Sequence, residues 1–328
     1  MRIKLTTYYH ADQVPPLPEG STFHSTALMR IYEATPGYRP FMVVATDEGR
    51  PVARLLAVVR QSHRHWLPNL IRRCEVFGCG DYFDPPVPQE ELFGQMLERI
   101  TAEALTDSWL IEFRDLTHPL FGYRHFMRQG YFPIQWMRVY NSLHSVEWVE
   151  DRFYSSRLRQ VRRAQRRGVT VSQAHDSAEV ERFSAMLHAN YSFKIRRHFP
   201  DEQFFHHLIK RWEKEATRAR IFTVKQGERL IGGAVCIYSG STAYLWFSGG
   251  LTKRYVLESP VVMAIWGAMA DAKQRGYEHF EFMDVGLPFQ RHGYRQFVLR
   301  FGGKTVSTRR WFQSRWPWLN RILCRWFE

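Results

Sequence analysis

The sequence has 328 residues, which is too long for one ordinary domain and suits two. A composition of 45% hydrophobic, 15% aromatic and 24% charged residues allows a large buried core and excludes a mainly disordered chain. Because 46 Lys and Arg residues outnumber 32 Asp and Glu residues, the formal net charge is +14. This charge predicts a surface that attracts polyanions such as phosphorylated cofactors, tRNA or anionic lipid headgroups.

The N-terminal segment contains no apolar run typical of a signal peptide, and no stretch of about 18 apolar residues occurs further along. We therefore expect a cytoplasmic protein that is neither secreted nor membrane-spanning. The four cysteines form no CxxC pair, which argues against a zinc site, and they are too few for a disulfide scaffold. We expect reduced structural thiols and no metal.

The first half contains a hairpin, a helix and a strand in that order. Residues 41–60 form two apolar runs around a turn at Asp47–Gly49, which predicts a β-hairpin. An amphipathic helix is predicted over residues 89–105. The sequence IEFRD at Ile111–Asp115 then predicts a short buried strand.

An arginine-rich helix is predicted over 157–167, after a segment without a Pro/Gly-rich linker. Its arginines cover most of the helix circumference, and no acidic residue is interleaved with them. This pattern favours binding to phosphate, nucleic acid or anionic lipid. A highly solvated surface helix is the alternative. The arginines are Arg157, Arg159, Arg162, Arg163, Arg166 and Arg167.

The second half repeats the order of the first. Residues 220–238 predict a hairpin around the turn Gln226–Glu228, residues 260–275 a helix, and FEFMD at Phe280–Asp284 a buried strand. The shared [IF]-E-F-x-D pattern predicts a duplicated domain, with the copies at 1–145 and 146–328. The alternative is two unrelated mixed α/β domains with common elements.

The C-terminal residues 311–328 alternate Trp, Phe, Leu and Ile with arginine. Such a basic aromatic segment is typical of helices that lie in membrane interfaces. Docking onto the second domain is the alternative explanation.

Several stretches resemble the Fem-like branch of the GNAT acyltransferases, which includes peptidoglycan-bridge aminoacyltransferases. They are TFHSTALMRIYEATPGYRPFMVVA (22–45), LRQVRRAQRRGV (158–169), AIWGAMADAKQRGYEHFEFMDVG (264–286) and VLRFGG (298–303). The resemblance implies an α/β fold of tandem GNAT-like domains, each with a central mixed β-sheet flanked by helices. It also implies transfer of an acyl group from acyl-CoA (acetyl-CoA) or aminoacyl-tRNA to an amine.

Within this resemblance, the donor phosphates are expected at the start of the 260–275 helix, where N–H groups and the helix dipole favour anions. Ser259 is expected to be the N-cap and Pro260 the first helical residue. A solvated connection with an ordinary cap is the alternative. The expected donor-binding residues are Gly249, Gly250, Lys253, Arg254 and Ser259.

Proton transfer is assigned to Asp284, which matches the aspartate of the family pattern, and to His292, whose pKa suits a proton relay. The alternatives are a structural role for Asp284 and a merely exposed His292. No GxSxG, HExxH, Walker or GxGxxG motif occurs. Amine acyl transfer requires positioning and proton acceptance rather than a covalent nucleophile.

The acceptor is expected to contact charged residues in both halves. Val298 stands where the family motif has a lysine near a substrate phosphate, so other cations are expected to replace that charge. The expected acceptor-binding residues are Glu112, Arg114, Asp115, Arg291, Arg295 and Arg300.

Two functions from different classes follow. The first is an N-acyltransferase or aminoacyltransferase that acts on an amine of a cell-envelope precursor, with tRNA and peripheral contact with an anionic membrane as further partners. The second is a non-catalytic GNAT-like module that binds RNA or anionic membrane through its arginines. Donor binding distinguishes them.

Overall fold

The structure is a computed structural model that describes residues 3–61, 72–116, 119–190, 200, 202–212, 218–289 and 293–327. The chain divides into two compact units. The first unit comprises Met1–Trp136 and Ser307–Glu328, and the second comprises Met137–Val306. Within the described ranges, no helix is long and apolar enough to cross a membrane.

The described elements include the two predicted hairpins, the three predicted helices and both short strands. The strands are β1 (Ile3–Tyr8), β2 (Tyr38–Asp47), β3 (Arg50–Gln61), β4 (Arg72–Phe77), β5 (Asp81–Tyr82), β6 (Leu110–Arg114), β7 (Phe132–Ser142), β8 (Val169–Gln173), β9 (Ala219–Gln226), β10 (Arg229–Ser239), β11 (Thr242–Gly250), β12 (His279–Phe282) and β13 (Lys304–Ser314). The helices are α1 (Thr26–Glu33), α2 (Gln89–Asp107), α3 (Tyr123–Arg128), α4 (Ser155–Arg166), α5 (Ser177–Asn190), α6 (Glu202–Trp212), α7 (Pro260–Gln274), α8 (Gly293–Leu299) and α9 (Pro317–Phe327).

The sheet of the first unit has the order β1, β2, β3, β4, β6 and β13, with β5 beside β3. Neighbouring strands are antiparallel except β4 and β6, which run parallel. Strands β2 and β3 contain long buried runs because helices cover both faces of this part of the sheet. Helix α2 buries an apolar stripe that includes Phe93, Met96 and Leu97.

The sheet of the second unit has the order β8, β9, β10, β11, β12 and β7. Only β11 and β12 run parallel. Two adjacent glycines on β10 let helices approach both faces. A Cβ on Gly232 would lie 2.9 Å from the Pro260 Cβ of α7, and one on Gly233 would lie 2.6 Å from the Phe183 ring of α5.

The predicted duplication is confirmed by the strand order. Each sheet has four successive strands joined antiparallel, then a parallel neighbour, then a final antiparallel strand. Glu112 on β6 and Glu281 on β12 occupy matching positions, each with a parallel neighbour on one side and an antiparallel one on the other. Asp115 and Asp284 each follow three residues later in the chain.

The units exchange their last strands. Strand β7 follows the helices of the first unit but pairs, over Val139–Ser142, with β12 of the second. Strand β13 follows the second unit but pairs, over Arg310–Ser314, with β6 of the first. The observed units therefore differ from the expected 1–145 and 146–328, because residues 307–328 belong to the first unit. A strand's partner cannot be read from its own alternating pattern.

The exchanged strand β13 completes the core of the first unit through Trp311, which is 1% exposed. Its ring stacks on Phe126 at a centroid distance of 4.6 Å and meets Tyr123 edge-on at 5.3 Å. A buried aromatic residue contributes much apolar area to a core. Strand β13 is therefore held by core packing as well as by its hydrogen bonds to β6.

We predict that Trp311→Ala lowers the free energy of unfolding by about 3–5 kcal/mol, because it leaves a large cavity in this core. Urea unfolding followed by circular dichroism measures the change. Trp148→Ala, at a site 64% exposed, is the control and should change stability by less than about 0.5 kcal/mol. Equal effects of the two substitutions would contradict the assignment of β13 to the core.

His24 is buried in the first unit, between α1 and the loop after β4. Its Nδ1 lies 3.2 Å from the Leu56 backbone N and its Nε2 lies 3.1 Å from the Gly80 backbone N. Burial lowers the pKa of His24 to about 4, and the Arg54 charge adds to this, while Asp81 opposes it. Folding therefore favours the neutral ring.

Because the folded-state pKa lies below the unfolded value, His24 stabilises the protein above about pH 6.5 and loses this contribution as the pH falls toward 4. We predict that lowering the pH from about 7 to about 5 costs about 2 kcal/mol through this residue. His24→Gln should remove that part of the pH dependence. Urea unfolding at both pH values measures the free energy of unfolding. If the loss of stability between the two pH values were the same in the variant as in the wild type, the assignment to His24 would be wrong.

Candidate functional site

Strands β11 and β12 separate at one end of the second unit. They pair over only four residues, Thr242–Leu245 with His279–Phe282, after which β12 ends and β11 continues to Gly250. At the same level the register between β10 and β11 shifts, and Trp246 is the additional residue of a β-bulge. Bulges redirect backbone groups, and open α/β sheets bind ligands beyond the carboxyl ends of their strands.

A cavity of about 410 Å³ lies beside the end of β11. This volume is within the range of small-molecule sites, about 300–1,000 Å³. The walls come from α4, β11, the loop between β11 and α7, the first turn of α7, and α8. The lining residues are Gln160, Ser248, Thr252, Val256, Ser259, Val261, Val262, Gly293, Tyr294 and Phe297.

The N-terminus of α7 forms one wall of this cavity. Pro260 occupies the first helical position, as expected, and Ser259 is the N-cap residue. The Ser259 side chain makes no capping hydrogen bond, since its Oγ donates to the Val256 carbonyl at 3.4 Å, and its backbone is left-handed, with φ 48°. The N–H groups of the first turn thus make no bond to the Ser259 side chain, and such groups attract anions.

The remaining expected donor residues lie around α7 in two different settings. Gly249 and Gly250 belong to β11, not to a flexible loop, and a Cβ on Gly250 would lie 3.0 Å from both the Ile231 carbonyl and Pro260. Gly250 therefore permits close packing of the helix on the sheet. Lys253 and Arg254 are exposed on the following loop and are not among the residues that line the cavity.

Helix α4 holds that loop in place through two of its arginines. The Arg163 guanidinium donates to the carbonyls of Val256 and Leu257 at 3.4 and 3.1 Å. The Arg167 Nε donates to Glu258 at 2.7 Å. These contacts satisfy carbonyl and carboxylate groups at the entrance to α7, so this part of the arginine helix positions the cavity wall.

Arg157 is buried at the other end of α4, where it is 1% exposed. It donates to the Phe297 carbonyl at 2.6 Å and lies over the rings of Phe297 and Phe301, 4.2 and 4.5 Å from their centroids. Burial, and then the charge of Arg300, lowers its pKa to about 10. The charge of Arg157 is therefore used inside the protein, and the arginines exposed in addition to Arg167 are Arg159, Arg162 and Arg166.

The expected catalytic residues are placed only in part. Asp284 is exposed and lies just after β12. His292 and Arg291 lie outside the described residues. Arg295 is buried and donates to the Leu287 carbonyl at 2.7 Å, so it does not supply the free surface charge that was expected of it. Arg300 is exposed.

The VLRFGG segment is explained by packing. Val298, at the position of the family's lysine, is completely buried, as is Phe301. Gly302 has a φ of 88°, and a Cβ there would lie 2.0 Å from the Arg152 carbonyl. Only glycine fits this conformation and this approach. No cation at position 298 is compatible with the surrounding core.

Glu281 is a buried acid that the sequence analysis did not select. It is 2% exposed and pairs with Arg138 of β7 at 3.2 Å. Burial, and then the charge of Glu281, raises the pKa of Tyr244 on the neighbouring strand β11 well above its ordinary value. The signal was present in FEFMD: the alternation places Phe280 and Phe282 in the core and Glu281 on the opposite face.

The first unit contains a larger version of this arrangement around Glu112, which is fully buried. Glu112 pairs with Arg310 of β13 at 2.8 Å, with Arg114 at 3.1 Å, and with Arg73. Burial opposes ionisation of the adjacent Glu75, but Arg114 and Arg73 outweigh it and lower the pKa of Glu75 to about 2. Glu112 and Arg114, both expected to bind the acceptor, thus pair with each other, and their role toward an acceptor stays a prediction.

Asp115 takes part in the same region mainly through its backbone. It is 7% exposed, and its carbonyl accepts a hydrogen bond from Thr308 Oγ1 at 3.0 Å. Its N–H donates to the Arg309 carbonyl at 3.2 Å. These bonds continue the pairing of β6 with β13 by one residue, so Asp115 helps to attach the exchanged strand β13 to β6.

Comparison with known proteins agrees with this architecture. The family model of the GNAT acetyltransferase domain matches residues 154–294, which include α4, β12 and the cavity-lining residues except Phe297. The sequence matches no curated protein. The structural neighbours described next are similar at low sequence identity, so they bear on the fold.

Three solved structures are similar over most of their length. FemX has a TM-score of 0.61 at 12% identity, covering 98% of this chain and 99% of that one. L-PGS from Bacillus licheniformis has a TM-score of 0.56 at 13% identity, covering 92% and 91%. A tandem GNAT protein from the clavulanic acid biosynthesis pathway has a TM-score of 0.55 at 10% identity, covering 96% and 99%. Residues 154–294 of the chain therefore match the GNAT acetyltransferase domain, and the chain has the fold of FemX and of the tandem GNAT protein.

Proposed function

We propose that the second unit binds an acyl donor in the cavity at the N-terminus of α7 and transfers its acyl group to an amine of a cell-envelope precursor. The cavity carries the proposal: nine of its ten lining residues lie within the family-matched segment, and it lies beside the bulged end of β11 and against helix N–H groups. FemX and L-PGS, two structural neighbours, support the choice of a cell-envelope acceptor.

The donor is acyl-CoA, with acetyl-CoA as the simplest case, or aminoacyl-tRNA. Either carries phosphates that suit the first turn of α7, and Lys253 and Arg254 on the adjacent exposed loop are proposed to attract them. The apolar residues Val261, Val262 and Phe297 would contact the less polar part of the donor. Because both donor types are made in the cytoplasm, we place the reaction there.

In the reaction, the acceptor amine attacks the acyl carbonyl, a C–N bond forms, and the C–S bond of a thioester or the C–O bond of an ester breaks. Backbone N–H groups at the β11 bulge are proposed to stabilise the oxyanion of the intermediate. We assign acceptance of the amine proton to Asp284, with His292 as its relay. Glu281 is engaged with Arg138 and is proposed to position Tyr244 rather than to accept the proton.

Of the residues expected to bind the acceptor, Glu112 and Asp115 are buried and are not included here. Arg300, which is exposed in the second unit, and Arg291 are proposed to contact the acceptor. Arg114 is partly exposed and engages both Glu112 and Glu75, so it can exchange a protein carboxylate for an anionic group of a ligand. Arg295 is not included because it is buried against a carbonyl.

We predict that Val261→Glu weakens acetyl-CoA binding by about tenfold or more, because a carboxylate in the cavity repels phosphate at a cost of about 1–4 kcal/mol. Val261→Gln, of similar shape but neutral, is the matched control and should bind nearly as the wild type does. An acidic residue is well tolerated in the first turn of a helix, so folding should persist. Isothermal titration calorimetry measures the dissociation constants.

Equal binding by both variants and the wild type would place the donor elsewhere. If neither acetyl-CoA nor aminoacyl-tRNA bound the wild type or changed its melting temperature, the non-catalytic alternative, with RNA or anionic membrane as its partner, would replace the enzyme proposal.

We further predict that replacing both Lys253 and Arg254 with Ala lowers donor affinity by about fivefold at low salt, since exposed charges contribute modestly and are screened. The difference from the wild type should shrink as the salt concentration rises. Titration at two salt concentrations measures it. A dissociation constant that the double substitution leaves unchanged at both would remove these two residues from the donor site.

A further inference from the structure

Helix α9 is attached to the first unit by one face. Asn320, 4% exposed, accepts hydrogen bonds through Oδ1 from the backbone N and the Oγ of Ser314, at 2.8 and 2.7 Å, and donates to the Ser314 carbonyl at 2.8 Å. Cys324 Sγ lies 3.5 Å from the Tyr131 carbonyl. These contacts, one turn apart, fix the rotation of the helix about its axis.

The opposite face of α9 exposes large apolar side chains. Trp318 is 61% exposed, Ile322 53% and Trp326 80%, and their spacing of four residues places them in one row along the helix. Trp316, just before the helix, is 44% exposed. Since the other face is fixed by Asn320, rotation cannot bury this row. A contiguous exposed apolar row of this kind marks an interaction surface.

The charged residues of α9 and of the segment just before it are all arginines. Arg315, Arg321 and Arg325 are exposed, and residues 311–327 contain no acidic residue. Tryptophan prefers the headgroup level of a bilayer, and arginine extends its charge to the headgroups while its aliphatic part covers apolar surface. A protein partner would need both a groove for the row and acids beside it, whereas an anionic bilayer supplies both chemistries at once.

We propose that α9 docks the protein on an anionic membrane surface, with Trp318, Ile322 and Trp326 inserted at headgroup level and the arginines paired with lipid phosphates. The chain's formal charge of +14 favours the approach to such a surface. The docking deepens the proposed function by placing acyl transfer next to membrane lipids, but it rests on α9 alone. The two proposals can therefore fail separately.

The test is cosedimentation of the full chain with vesicles of phosphatidylcholine alone or mixed with phosphatidylglycerol, at low and high salt. We expect binding to the mixed vesicles, weakened by salt, with a blue shift of tryptophan fluorescence. The combined substitution Trp318→Ser, Ile322→Ser and Trp326→Ser should reduce partitioning by about tenfold or more. The matched control replaces the exposed aromatics Trp148, Tyr154 and Phe289 with Ser and should bind as the wild type does.

Arg321→Gln with Arg325→Gln should reduce binding to the anionic vesicles and make the remainder less sensitive to salt. Thermal melts and acetyl-CoA binding of the α9 variants should match the wild type, which separates loss of docking from unfolding and from loss of the donor site. Wild-type protein that stays in the supernatant at low salt would overturn the proposal. So would concentration-dependent dimerisation abolished by the triple substitution, because a second copy would then cover the row.

Discussion

A buried glutamate on the strand that pairs with the exchanged strand constrains each unit. Glu112 and Glu281 are 0% and 2% exposed, and a buried carboxylate is tolerated only with a charged partner. In each unit one such partner comes from the exchanged strand. Arg310 stands two residues before the residue opposite Glu112, and Arg138 two residues before the residue opposite Glu281. Without its exchanged strand, each sheet would lose an arginine partner of its buried glutamate as well as its last strand.

In the second unit, the cavity wall at the first turn of α7 depends on close approach of the backbone. Gly232 and Gly250 bring Pro260, and with it the first turn of α7, against the sheet, while Arg163 supports the carbonyls of the loop that leads into the helix. The cavity wall is therefore held from below by glycine packing and from the side by α4. Such a wall supplies N–H groups at fixed positions, which is what differential stabilisation of a charged intermediate requires.

Local patterns made much of this fold predictable. The alternation in both hairpins, the helical spacing over 260–275 and the repeated [IF]-E-F-x-D depend only on neighbouring residues, so the duplication and Glu112 could be found. The strand exchange could not, because β13 reads the same whichever sheet it joins. Arg163 could not be distinguished from the exposed Arg162, because its acceptors are loop carbonyls, which carry no side-chain signature. The left-handed backbone of Ser259 likewise has no sequence marker.

The formal net charge overstates the positive charge that an external ligand meets, because some arginines are paired inside the protein. Arg138, Arg310 and Arg157 are committed to buried carboxylates, carbonyls or aromatic rings, so they contribute little to the field that an external polyanion meets. Exposed arginines stand close together on two helices: on the outer side of α4, whose Gln160 lines the cavity, and on the outer side of α9. On α4 they stand without aromatic neighbours, which suits a hydrated phosphate chain, whereas on α9 they alternate with tryptophans, which suits a surface that is part apolar. The same residue type is therefore proposed to serve donor binding on α4 and membrane docking on α9, and its neighbours determine which.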